Sequence, residues 1–73
     1  MNSMAIMNSE GDTKVHWDPS DPESVEVAAA TFASYSERGY RAYAMQSDTQ
    51  GEQMATFDPS ASSILFVPQM QGG

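Results

Sequence analysis

The groups with chemistry to offer are a run of acids, a lone histidine and a terminal glycine pair. Asp18, Asp21, Glu23 and Glu26 gather four carboxylates in a short stretch with no base among them. Such a cluster suggests calcium or a basic partner. An EF-hand loop, however, alternates its ligands and places a glycine at the sharp turn, and this stretch does neither. Helix capping and solvation account for these acids better. His16 is the chain's only histidine and there is no cysteine, so a zinc site lacks companions and His16 reads as a surface residue on the outer face of a strand. Serines are plentiful, but no G-x-S-x-G elbow or glycine-rich phosphate loop is present, and one histidine makes no triad. Carboxylate pairs can do acid–base work, yet a domain this small offers little concavity in which to perturb them. The residues therefore predict no enzyme, no metal and no cofactor.

Size and charge narrow the alternatives. Seventy-three residues make one domain at most. A chain this short buries only about 60% of its unfolded surface. Without disulfides, its stability must come from packing or from a partner. Ten acids face three bases (Lys14, Arg38 and Arg41), a net charge of −7. That balance argues against nucleic acid or anionic lipid as a ligand, since both need a basic face. It suits a protein partner with a basic surface. No stretch approaches the length of a membrane-spanning helix. "MNSMAIMNSEGD" has neither the basic start nor the apolar run of a secretory signal. The expected location is cytoplasmic or on a larger particle.

The elements that position these groups follow from patterning. "TKVHW" alternates, with Val15 and Trp17 on one face and Lys14 and His16 on the other, as in a strand. Asp18-Pro19 and Asp21-Pro22 stop it. Asp21 is a natural N-cap and Pro22 fits the first helical position. Val25, Ala28, Ala29, Phe32 and Tyr35 or Ser36 recur at helical spacing, predicting a helix from Pro22 to Arg38. Gly39 is the expected left-handed residue after it, with Tyr40 placed for the apolar contact of a Schellman end. "YRAYAMQ" and "QMATF" read as a hairpin across "SDTQGE", with Gly51 suited to a positive φ. "SILFVP" carries consecutive apolar residues without alternation, the pattern of a central strand buried on both faces. Pro68 ends it. "WDPS" and "FDPS" repeat one piece of turn chemistry, an Asp-Pro turn after an aromatic strand end.

The fold class is thus α+β: one amphipathic helix packed on a small mixed β-sheet, in the order β(β)αβββ. Residues 1–12 are an N-terminal arm or a first strand, 13–68 the domain and 69–73 a Gly-Gly tail. Methionine fills irregular gaps and suits adaptable contact surfaces. Of the six methionines, Met1, Met4 and Met7 lie in the N-terminal segment and Met70 in the tail. Met4, Ile6, Met7, Pro68, Met70, Gly72 and Gly73 are the candidate partner-binding residues. Tyr40 and Tyr43 are candidates for an exposed strand face.

This order resembles the β-grasp fold of ubiquitin-like proteins. "FVPQMQGG" is similar to the tail of the molybdopterin-synthase small subunit and related sulfur carriers, with Phe66, Pro68, Gly72 and Gly73 matching. The resemblance implies adenylation of the Gly73 carboxylate and transfer as a thioester or thiocarboxylate, the thiol coming from a partner. Glycine alone threads a narrow channel without side-chain collision. "TKVHWDP" and "FDPSASSILFVPQMQGG" also resemble short proteins of tailed-phage and prophage regions. That likeness implies an accessory protein seated on a larger assembly such as a virion, with residues 1–11 as a docking arm. The leading expectation is a non-enzymatic interaction module within an assembly. The alternative is a modifier or carrier acting through Gly73, and a weaker third is an inhibitor that mimics an acidic ligand.

Overall fold

A computed structural model describes residues 2–8, 11–47 and 50–68. The chain forms β1 (Asn2–Asn8), β2 (Gly11–Trp17), α1 (Pro22–Glu37), β3 (Arg41–Met45), β4 (Gly51–Met54) and β5 (Ser63–Val67). The strands make one sheet in the order β2-β1-β5-β3-β4. β1 and β5 run parallel at its centre, and the other neighbours are antiparallel. The fold is α+β, with one helix on a mixed sheet.

The helix is set by its ends. Asp21 is extended (φ −107°, ψ 102°) and its carboxylate accepts from the Glu23 N–H at 3.2 Å, while Pro22 starts the helix where no backbone donor is needed. At the other end Gly39 takes φ 90°. The Tyr40 N–H donates to the Tyr35 carbonyl and the Gly39 N–H to the Ser36 carbonyl, both at 3.1 Å. These are the paired bonds of a Schellman motif, and the Tyr35 and Tyr40 rings meet edge to face at 5.1 Å as its apolar contact. The Arg38 guanidinium sits 5.1 Å from the Tyr35 ring centre. The helix stops at Glu37, one residue short of the predicted Arg38, because Arg38 is the cap.

One face of the sheet meets the helix. Met4 and Ile6 (β1), Trp17 (β2), Ala42 (β3), Ile64 and Phe66 (β5) pack with Ala28 and Phe32 of α1 as the buried core. Ala28 lets the helix lie close to the sheet. Aromatic rings link the layers: Phe32 meets Phe66 at 5.0 Å and Phe57 at 5.7 Å, and Phe57 meets Trp17 at 5.2 Å. Each such pair adds about 0.5–1.5 kcal/mol beyond area burial.

The repeated turns come together at the Trp17 end of the sheet. Asp18 Oδ1 accepts from the Ser20 N–H (2.9 Å) and hydroxyl (2.7 Å), and Asp58 Oδ1 accepts from the same two groups of Ser60. These bonds hold both carboxyls below their ordinary pKa. The backbone bond leads for Asp18 and the hydroxyl bond leads for Asp58. The Trp17 indole N–H donates to the Pro59 carbonyl at 3.0 Å. Asn2 Nδ2 donates to the Pro59 and Ala61 carbonyls at 3.0 Å each. The echo in the sequence is thus two copies of one Asx turn, joined by a tryptophan and an asparagine.

Several expectations change. Of the two readings of the N-terminal segment, the first strand holds and the arm does not: residues 2–8 are β1, hydrogen-bonded to a strand on either side. Met4 and Ile6 are fully buried, so they serve this chain's own core and not a partner. Gly51 lies in β4 and is not among the positive-φ glycines. β4 ends at Met54, and Phe57 turns inward to the Trp17 and Phe32 rings instead of extending the strand. Finally, β5 is central as predicted but only its Ile64 and Phe66 side is buried; Leu65 and Val67 are half-buried on the other. A single helix covers a single face.

Candidate functional site

The register fixes what occupies the uncovered face. Residues paired across neighbouring strands share a face, and alternate residues along a strand change face. Starting from buried Met4 and Ile6, the uncovered face takes Ser3, Ala5 and Met7 from β1 and Asp12, Lys14 and His16 from β2. It takes Ser63, Leu65 and Val67 from β5, and Arg41, Tyr43 and Met45 from β3. One row runs Lys14, Ala5, Leu65, Tyr43, Gln53 across all five strands. Its middle is apolar and its ends are polar.

Met45, Leu65, Tyr43 and Val67 are half-buried, no described element is layered above them, and Met7 is 45% exposed. A shallow depression of about 430 Å³ lies between Ala5, Ser63, Leu65 and Met45 at the β3–β4 end. Lys14, His16 and Arg41 stand exposed around this centre. Two of the chain's three Lys and Arg residues and its one histidine therefore border a single face. Among the described residues, Asp12 is the carboxylate that the register puts there. Asp18, Asp21, Glu23 and Glu26 lie on the helix or the turn before it, and Asp58 lies in the turn between β4 and β5. Among the described residues the helix side is thus mainly acidic, with Arg38 at its end, and the open sheet face is bordered by Lys14, His16 and Arg41 with Asp12.

Of the predicted partner-binding residues, Met7 is on this face and Pro68 is exposed where β5 ends. Met4 and Ile6 are in the core. Met70, Gly72 and Gly73 lie outside the described residues. Of the two tyrosines expected on an exposed strand face, Tyr43 is half-buried on β3, whereas Tyr40 precedes that strand and packs on Tyr35 against the core. Leu65, Val67 and Arg41 were missed as surface candidates, and Lys14, placed with His16 on the outer strand face, was not among the partner-binding residues. The available signal was the element list itself, because one helix leaves every second residue of a central strand without cover. Among the described residues no three His, Asp or Glu side chains converge as a metal site, and no helix is long and apolar enough to cross a membrane.

No known protein family, characterised protein or solved structure matches the chain.

Proposed function

We propose that this chain is a non-enzymatic protein–protein interaction module, a small component of a larger assembly, that docks through the open face of its sheet. The observation that carries the reading is the apolar centre of Leu65, Tyr43, Val67 and Met45, over which no described element is layered, bordered by Lys14, His16 and Arg41. Contiguous exposed apolar surface with a polar rim is the signature of a docking site. Bases at the rim steer an approaching partner and fix its register. The partner that fits is apolar at its centre and acidic at its border, while the acidic helix side is left for any basic neighbour. A virion or another cytoplasmic particle is such an assembly. A photo-crosslinking residue at position 43 is expected to give a protein adduct in the cells that make this chain, and the same residue at position 60 is not. Absence of an adduct at position 43 overturns the reading.

The strand order favours a second reading. A helix crossing one face of a sheet ordered β2-β1-β5-β3-β4, with the first and last strands parallel at its centre, supports a β-grasp-like reading. On that reading Gly72 and Gly73 are a carrier's handle. Adenylation is then measurable as ATP–pyrophosphate exchange with a cognate activating enzyme, and it must vanish when Gly73 is deleted. Exchange that persists without Gly73 removes this alternative.

A further inference from the structure

The outward surface of α1 is unusual for a helix facing water. Positions 23, 26, 30, 33 and 37 fall on one stripe opposite the buried Ala28 and Phe32. They are Glu23, Glu26, Ala30, Ala33 and Glu37, all exposed, with exposed Val27 and Ser34 along one edge. The centre of this stripe is built from short, mostly apolar side chains, and its two ends are acidic. Among the described residues, the exposed large hydrophobic side chains are Val27 at 62% and Met7 at 45%. Val27 borders this stripe and Met7 lies on the open sheet face. The chain therefore presents two apolar surfaces on opposite sides of one molecule, the sheet face bordered mainly by bases (Lys14, His16 and Arg41, with Asp12) and the helix surface mainly by acids (Glu23, Glu26 and Glu37, with Arg38).

We infer that the occupant of the open sheet face is the outer helix surface of a second copy, so that copies stack head to tail. This rests on the reading that the open face is a docking surface, and it names the partner. The spacing fits. Glu26 and Glu37 are 11 residues apart, about 16 Å along a helix. Arg41 and Lys14 lie three strands and one two-residue step apart across the face, also about 16 Å. Glu37 can thus meet Arg41 while Glu26 meets Lys14, with Glu23 reaching toward His16. The short side chains of Ala30, Ala33 and Ser34 let the helix lie flat on Leu65 and Tyr43. Docking covers the second face of β5, which then matches its uninterrupted apolar sequence, the pattern of a strand buried on both sides. Because the two surfaces differ, the contact is heterologous and does not close at two copies.

The test is the mass of the purified full chain by sedimentation equilibrium from micromolar to millimolar concentration. The wild type is expected to rise past two copies, and to fall back in high salt because the rim charges are exposed. Two variants block one surface each: Tyr43→Lys on the sheet, and Ala30→Lys with Ser34→Lys on the helix. The helix pair sits at solvent-facing positions where lysine is a good helix former, so it serves even if the sheet variant fails to fold. Each variant alone is expected to weaken self-association at least tenfold. Mixed in equal amounts, they are expected to form a species of two copies and nothing larger, through the one intact helix face and the one intact sheet face. A wild type that stays monomeric throughout overturns the inference, as does one that stops at two copies or a helix pair that associates like wild type. A monomeric chain that still gives an adduct at position 43 in cells removes only the self-docking inference. Loss of that adduct removes the docking reading beneath it.

Discussion

Deleting residues 1–8 is expected to abolish the fold. Circular dichroism should lose its cooperative urea transition, and the amides of the remaining chain should exchange as in an unfolded polypeptide. The deletion removes β1, which supplies Met4 and Ile6 to the core and pairs with β2 on one side and β5 on the other. Losing one large buried aliphatic side chain costs about 2–5 kcal/mol. A domain of 73 residues has only about 4–11 kcal/mol in total at typical stability per residue. Two such side chains plus two ladders exceed that margin, and β2 is left with no strand to pair with. A flexible docking arm would behave oppositely: its removal would leave the melting curve intact and abolish only assembly. Retention of a cooperative transition after this deletion is incompatible with a central β1.

The second large effect falls on Trp17. Trp17→Ala should cost about 3–5 kcal/mol, a large share of the domain's total stability. The ring is fully buried and packs on Phe57, which in turn packs on Phe32, so its loss opens the seam between sheet, helix and the second Asp-Pro turn. Trp17→Phe separates packing from hydrogen bonding. It keeps an aromatic ring but loses the indole N–H to Pro59. The Pro59 carbonyl still accepts from Asn2, so no buried acceptor is stranded. The hydrogen-bond loss should be about 0.5–1.5 kcal/mol, well short of the alanine variant. Urea titration of both variants measures the difference. Equal destabilisation would mean that the hydrogen bond, not the ring, holds the two turns together.

Much of this was readable from the residues. Asp21-Pro22 and Arg38-Gly39-Tyr40 delimit α1 to within one residue because caps are local chemistry, settled by side chains a turn away. The β3–β4 hairpin and the central place of β5 also follow from short-range pattern. β1 was harder. Its buried residues Met4 and Ile6 alternate with Ser3, Ala5 and Met7, and two of those outward residues are themselves apolar, so the alternation is blurred. Its partner β5 lies at the far end of the chain, a pairing that no local pattern reveals. Phe57 looked like a strand residue by composition, but tertiary packing on Trp17 and Phe32 takes it out of the ladder. The open face was hidden for a related reason. The consecutive apolar residues of β5 announce cover on both sides, and one helix supplies cover on one.

That asymmetry between the two sides of the sheet is open to direct measurement. A soluble paramagnetic probe added to dilute, isotopically labelled protein broadens the resonances of side chains it can approach. The prediction is strong broadening at Leu65, Val67 and Tyr43, with Met4, Ile6, Ile64 and Phe66 left sharp. Equal shielding of Leu65 and Ile64 in the dilute monomer would contradict it, because the sheet would then have no free face to dock with.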